Sequence, residues 1–476
     1  MGSAGGNFSS RSLLRSSARS LGDSDRSSRR ACFQASEPIS SCAALFFVFP
    51  LPIDLSMLAL QDGNNFYCSV EASFDPKLRG KPVCVASSGD GCVIARNALS
   101  KKLGVPMGAP IHQIPPEVRR QITFRSANFG LYGDISGRIL TVLRDLFPAV
   151  EPYSIDENFI DLTGIPAKDH ERLAAEARAR ILKWVGIPSC VGIGPTKTLA
   201  KLSNKRAKST THGVVTTMPG DVALLTYPVE DVWGVGRKLT ARLGVDGILT
   251  AGDLASADTD TLRSRYGVVL ARTQRELQGV MCSELEEQEP QRKEIMVSRT
   301  FGKDITSETD LLQAIATFAQ RACEKLRARQ LQAAAVWVFI QTNPFKPGVP
   351  QYNPSKSFRL LKPTTDTREI LIVTQGLARS MYRSRYAYKK AGIGLLDLTH
   401  VDIQQGDLFA QIDHRTNALM EVMDKANHKF GRGSMGFASA AWRAKNKTLA
   451  KPEWSVKRDM LSPAYTTDWN QLVRVR

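Results

Sequence analysis

Tyr153-Ser154-Ile155-Asp156-Glu157 carries the reading of this 476-residue chain once Asp62 is set beside it. The run from Tyr153 to Thr163 has the β-rich pattern of a hairpin with two adjacent carboxylates set into it. Asp62 closes the largely apolar run that begins Met57-Leu58-Ala59-Leu60, the pattern of a buried strand with an acid at its exit. Carboxylates at the ends of neighbouring strands are what a two-cation site requires. Hard Mg²⁺ ions take oxygen ligands, and two of them about 3.5–4 Å apart can clamp the attacking and leaving oxygens of a phosphoryl transfer. Alone, Asp156-Glu157 fits a solvated turn as well as a metal site; the blocks around it give it weight.

Asp62-Gly-Asn-Asn-Phe-Tyr67 is followed by Gly80-Lys-Pro-Val83, Cys92-Val-Ile-Ala-Arg-Asn-Ala98 and Leu103-Gly-Val105. After the Tyr153–Glu157 block come Val191-Gly-Ile-Gly194, Lys197-Thr-Leu-Ala-Lys201 and Val232-Trp-Gly-Val-Gly-Arg237. In this order and spacing the chain resembles the Y-family (translesion) DNA polymerases, and within them the UmuC-like branch of catalytic subunits of bacterial DNA polymerase V type. The resemblance runs from about Met57 to the C-terminus and leaves out only residues 1–56.

Composition sets wider bounds. A formal net charge of +18 implies a polyanionic partner or an anionic surface, without separating DNA, RNA and membrane. Eight cysteines occur with no C-x-x-C pair, which gives no zinc signature. Cys84, Cys92 and Cys190 lie in apolar strand-like runs and read as buried free thiols of a reducing cytoplasm. The most apolar stretch, Ala43 to Leu51, is about nine residues long and ends among prolines, against roughly 20 needed to span a bilayer. No membrane association is expected. Residues 1–56 are Ser/Arg-rich and are expected to be a disordered extension ahead of a family-like start at Met57.

The expected fold is a multidomain α+β chain, a right-hand polymerase. Residues 57–218 form a ferredoxin-like palm, with small fingers inserted at about 76–126. Residues 219–290 read as all-helical, a thumb in which Val232-Trp-Gly-Val-Gly236 sits between two helices as a helix-hairpin-helix. Residues 291–400 repeat a β-α-β pattern and make a βαββαβ little finger. Residues 401–476 are a C-terminal tail for clamp and partner binding.

The resemblance implies residue roles. Asp62, Asp156 and Glu157 are the catalytic carboxylates; with the carbonyl of Gly63 they ligate two Mg²⁺ ions. Tyr67 is the steric gate, filling the space of a ribose 2′-hydroxyl and so selecting deoxynucleotides by exclusion. Phe66, Lys101 and Lys208 bind the incoming nucleotide, although Arg96, Lys102, Lys197, Lys201 and Lys205 are near enough in sequence to blur the choice of lysine. Many members of the family carry tyrosine where this chain has Ala98, which puts triphosphate contacts from that position in doubt. Gly91, Cys92, Val93 and Ile94 form a loose roof over the nascent base pair. A tight Gly-x-Gly turn opening a helix presents free N–H groups, so Gly234, Gly236 and Arg237 are expected on a DNA phosphate.

In the tail, Gln405-Gly-Asp-Leu-Phe409 resembles the motif that bacterial polymerases place in the sliding clamp, with Gln405, Leu408 and Phe409 as its contacts. Gly431-Arg-Gly433, Trp442 and Met460–Trp469 resemble a segment special to the UmuC-like branch, which implies a UmuD-type subunit and a RecA filament as partners. Primer–template DNA and dNTPs complete the set, in a bacterial cytoplasm. The leading rivals are another palm-type enzyme such as a nucleotide cyclase, and a non-catalytic DNA-binding scaffold with a polymerase-like fold. A cyclase has no use for Tyr67 or the Gly234–Gly236 turn; a scaffold has none for the three carboxylates.

Overall fold

The structure, a computed structural model, describes residues 56–286, 292–402, 414–431, 433–440, 454–455 and 458–472. Leu58–Gly63 (β1) is buried at every position, Gln61 and Asp62 included, as a central strand covered on both faces must be. A left-handed residue, Asn65 (φ 48°), then reverses the chain directly into Phe66–Phe74 (α1), so the aromatic pair follows the acid at once.

An insertion follows. Val83–Ala86 (β2), Val93–Arg96 (β3), Ala98–Lys102 (α2), Pro116–Gln121 (α3) and Thr123–Ser126 (β4) build a three-stranded sheet of order β3-β2-β4. It has its own small core around Cys84, Val93, Val105, Ile114 and Ile122.

The chain returns through Phe129–Arg144 (α4), Val150–Pro152 (β5), Glu157–Asp161 (β6), Ala167–Val185 (α5), Ser189–Gly194 (β7), Lys197–Ala207 (α6) and Val214–Thr216 (β8). The main sheet has the order β5-β6-β1-β7-β8. Residues from α1, α4 and α5 join Ala59, Ile160, Val191 and Ile193 in one core, while α6 lies on the opposite face against Leu60 and Phe159. Helix α6 comes this close because β7 offers Gly192: a Cβ there would stand 2.0 Å from the Asn204 amide nitrogen. The hairpin begins earlier than the sequence pattern predicts. Val150–Pro152 is its first strand, and Tyr153–Asp156 is its turn.

Beyond β8 the chain is helical: Arg237–Val245 (α7), Ala251–Ser256 (α8), Thr259–Tyr266 (α9) and Val268–Leu277 (α10), with a core that takes in Leu199 and Leu202 of α6. Before the Gly-x-Gly turn stands only a 3-10 turn, Val229–Asp231, where an α-helix was expected, because Pro228 at its N-cap and the extended Val232 limit it to three residues. Glu294–Ile305 (β9), Glu308–Arg327 (α11), Leu331–Thr342 (β10), Ser355–Thr364 (β11), Thr367–Met381 (α12) and Tyr388–His400 (β12) then give the βαββαβ unit. Its antiparallel sheet runs β11-β10-β12-β9 over one core. His414–Phe430 (α13) is tied to this unit by Asp424, which accepts a two-pronged pair of hydrogen bonds from Arg327.

Of the cysteines expected in cores, Cys84 and Cys190 are buried, whereas Cys92 is half-buried at the mouth of β3. Among the described residues no helix is long and apolar enough to cross a membrane.

Candidate active site

Strand register brings the carboxylates together. Asp62 at the end of β1 is opposite Glu157 at the start of β6 and, on its other side, opposite Cys190 of β7. The turn before Glu157 is pulled onto the strand end by the Gly63 N–H, which donates to the Asp156 carbonyl at 2.9 Å. The Ser154 hydroxyl donates to Asp156 Oδ1 at 2.7 Å and accepts from the Glu157 amide at 3.1 Å. A Ser-x-Asp-Glu turn of this kind orders both acids before any ligand arrives.

Two lysines neutralise the cluster, both from α6 or its end. Lys208 Nζ is 2.8 Å from Asp62 Oδ2, and Lys201 Nζ is 2.9 Å from Glu157 Oε1. Asp62 is only 8% exposed. Burial, reinforced by Glu157 and Asp156 and opposed by Lys208, pushes its carboxyl up to about 6. Lys201 also lies 4.5 Å from the Tyr153 ring centre and 5.4 Å from that of Trp233, which packs edge-on to Tyr153. It thereby joins the hairpin turn to the Gly-x-Gly turn. Lys197, one turn earlier on the same face of α6, is buried against Glu151 of β5 at 2.6 Å, and Lys205, one turn later, pairs with Asp231.

Helix α6 is itself pinned from the helical unit. Glu276 of α10 is buried and accepts from the amide and the hydroxyl of Thr198 in the first turn of α6. An acid there suits the positive end of the helix. Its backbone carbonyl accepts from the N-cap Thr196 hydroxyl at 2.9 Å.

Tyr67, the second residue of α1, is half-buried. Its ring stacks on Tyr132 of α4, centroids 4.4 Å apart and planes 16° from parallel, and meets Phe129 edge-on. Burial raises the pKa of its hydroxyl, with a smaller push from the charge of Asp156.

The chain matches two successive family models, the impB/mucB/samB family at residues 61–205 and its C-terminal domain at 292–408, and then a domain of unknown function at 417–475. Protein UmuC of Salmonella typhimurium is 41% identical over 430 residues, 88% of this chain and 100% of that protein. This chain belongs to the impB/mucB/samB family. DNA polymerase IV 1 of Bacillus subtilis is more distant, 28% identical over 78% of the chain and 89% of its own length. Among solved structures, a Y-family DNA polymerase chimera of Dbh and Dpo4 aligns with 72% of the chain and 99% of its own, at TM-score 0.62 and 22% identity. The fold is that of the Y-family polymerases: palm, fingers, thumb and little finger in the order described.

Within this family framework the structure sorts the sequence candidates. Asp62, Gly63, Asp156, Glu157 and Lys208 come together at the end of the central strand of the palm sheet, and Tyr67 follows at the start of α1. Lys101 is exposed on α2 in the fingers. The Phe66 side chain does not face the site: it is 2% exposed in the palm core, its ring beneath Gly63, because the first turn of α1 must cover the sheet. Val93 of the expected roof is likewise turned into the fingers core, leaving Gly91, Cys92 and Ile94 with exposed or half-buried surface. Gly234 (φ 87°), Gly236 and Arg237 are exposed at the start of α7. The clamp-motif residues Gln405, Leu408 and Phe409 lie outside the described residues, as do Trp442 and residues 1–55. Lys201 and Glu276 had no assigned partner in the sequence reading. The i,i+4 spacing of Lys197, Lys201 and Lys205 was the available signal that these lysines share a face.

Proposed function

We propose that Asp62, Asp156 and Glu157, with the Gly63 carbonyl, hold two Mg²⁺ ions for template-directed DNA synthesis past damaged template positions. Family membership and the DNA polymerase IV relatives give the reaction class: a Y-family DNA polymerase of the translesion type, acting on primer–template DNA and dNTPs. The observation supporting the site is the pairing of Asp62 with Glu157 across two strands, with Asp156 hydrogen-bonded to the same strand end.

The donor set suits a hard divalent cation, being all oxygen. As the side chains stand, no three such groups among the described residues converge on one ion position. Lys208 and Lys201 occupy the oxygens of Asp62 and Glu157 instead, and burial, with the two neighbouring acids, raises the Asp62 carboxyl to about 6. Cations bound there release both lysines. The chemistry such ions supply is charge neutralisation on the phosphates and a more acidic primer 3′-hydroxyl.

The remaining roles belong to the chain itself. Lys208 is 42% exposed at its side chain, on a flexible stem, and moves from Asp62 to the triphosphate. Lys101 adds charge from the fingers. Tyr67, backed by Tyr132, excludes a 2′-hydroxyl. Gly234, Gly236 and Arg237 offer the N-terminus of α7 to a backbone phosphate without reading sequence. The UmuD-type subunit, the RecA filament and the sliding clamp are the partners expected from the resemblance, and a bacterial cytoplasm is the setting.

Primer extension with Mg²⁺, dNTPs and these three partners tests the reading on undamaged and abasic templates. Extension past the lesion that vanishes in Asp156→Ala is the expected result. No extension by the complete assembly with DNA binding intact overturns it and leaves a DNA-binding scaffold.

A further inference from the structure

Residues 458–472 of the C-terminal domain of unknown function fold back on the catalytic core. Leu461 forms a parallel bridge with Ser126, so the tail adds to the free edge of β4 in the fingers sheet. The Ser126 amide donates to the Met460 carbonyl at 3.0 Å, and the Met460 amide returns to the Ser126 hydroxyl at 3.2 Å. Asn128, the N-cap of α4, donates to the Ser462 hydroxyl at 3.0 Å and to the Pro463 carbonyl at 3.2 Å. Tyr465 stacks on Phe74 at the end of α1, with ring centroids 5.1 Å apart.

These contacts converge on Glu71, which is fully buried and lies one helical turn beyond Tyr67 on α1. Its Oε1 accepts from the Tyr132 hydroxyl at 2.7 Å and from the Ser462 hydroxyl at 3.1 Å. Its Oε2 is buried with no hydrogen-bond partner. A half-satisfied carboxyl in a core costs stability, and a group kept at that cost is one on whose position something else depends. Here Tyr132 does: its hydroxyl is fixed by Glu71, and its ring is the flat surface on which Tyr67 stacks.

We propose that residues 460–465 are a positioning element of the nucleotide site. Ser462 and Asn128 hold Glu71 and the start of α4, Glu71 holds Tyr132, and Tyr132 holds the Tyr67 ring at the height that separates deoxy- from ribonucleotides. Upstream, the tail is anchored in the little finger, where Trp454 packs edge-on to Phe301 and Phe318. The proposal rests on the reading of Tyr67 as the sugar gate, and the test separates the two.

Single-nucleotide insertion by the full-length chain with its partners is measured with dNTP and rNTP for wild type, Tyr67→Ala, Tyr132→Phe and Ser462→Ala. Tyr132→Phe keeps the stacking ring and removes only the hydroxyl. Each of the last two variants is expected to raise the rNTP/dNTP ratio of kcat/KM about five- to tenfold, the scale of one lost hydrogen bond, and Tyr67→Ala to raise it further. A ratio unmoved in Tyr67→Ala overturns the gate reading. A ratio moved in Tyr67→Ala and unmoved in the other two overturns the positioning role, since a merely structural loss lowers both rates together.

Hydrogen exchange gives a readout independent of activity. In a chain ended after Lys457, the Ser126 amide is expected to lose protection; unchanged protection overturns the docking itself.

Discussion

Lys208 Nζ lies 2.8 Å from the Oδ2 of Asp62, a carboxylate that is nevertheless raised to about 6 because burial and two neighbouring acids outweigh one lysine. In the folded chain Asp62 therefore holds its proton over a pH range in which the unfolded chain has released it. Stability falls as pH rises from about 4 to about 6 and then levels, which is the opposite of an ordinary salt-bridged aspartate. Two pH units correspond to about 3 kcal/mol. Asp62→Asn, compared with wild type in the presence of a chelator, should be the more stable protein at pH 7.5 by on the order of 2–3 kcal/mol. The gain should disappear near pH 4. Urea unfolding at both pH values checks this, and equal stability at pH 7.5 contradicts the burial argument.

Lys208 should matter to both the fold and the nucleotide. Its own side chain is partly exposed but its partner Asp62 is buried, so Lys208→Met leaves a buried carboxyl without its cation and should lower the unfolding midpoint at pH 7.5, by less as the pH falls and Asp62 takes up its proton. If the lysine transfers to the triphosphate, the same variant should raise KM for dNTP about tenfold or more with a smaller effect on kcat, and Lys208→Arg should recover part of it. Steady-state insertion on an undamaged template reads both constants.

Much of this site was legible in the chain. β1 follows from the apolar run that ends at Asp62, and β7 and α6 coincide with the Val191–Gly194 and Lys197–Lys201 blocks. Which lysine meets which carboxylate was not legible, because it depends on the phase of α6 and on how closely Gly192 lets it approach. Adjacent positions on α1 meet different surroundings, and only packing shows that the Phe66 side chain is buried in the palm core while the Tyr67 ring stacks on Tyr132. The tail was beyond reach altogether. Ser462 and Glu71 are 391 residues apart, and a contact between one short segment and a distant helix leaves no periodic trace in either.

The pair Lys197–Glu151 separates the cost of breaking an ion pair from the benefit of having one. Both side chains are buried, Nζ to Oε2 is 2.6 Å, and the same Oε2 accepts the Glu286 amide at 2.8 Å. Lys197→Met strands a buried carboxylate and should destabilise by about 3–5 kcal/mol. Lys197→Met with Glu151→Gln removes both charges yet keeps an acceptor for Glu286, and should recover most of that loss. A double-mutant cycle in urea checks it; a double variant as unstable as the single one contradicts this account.

Gly192→Ala tests what brings the lysines to the acids. The new Cβ would stand 2.0 Å from the Asn204 amide nitrogen and 2.3 Å from the Ala200 carbonyl oxygen, all of it backbone that cannot rotate away. Helix α6 must therefore move off β7. Asn204 would then lose its hydrogen bonds to the Leu60 and Cys190 carbonyls, which tie α6 to β1, the strand that carries Asp62, and to its neighbour β7. Overpacking of this kind commonly costs 1–3 kcal/mol and more where backbone meets backbone, so this variant should unfold well below wild type or fail to accumulate as folded protein. Gly194→Ala meets the Leu199 Cβ at 2.8 Å and the Ala200 amide nitrogen at 3.0 Å, so it should be the milder of the two. Thermal unfolding of both ranks them, and a Gly192→Ala chain as stable as wild type would mean that α6 is not held against β7 by this close approach.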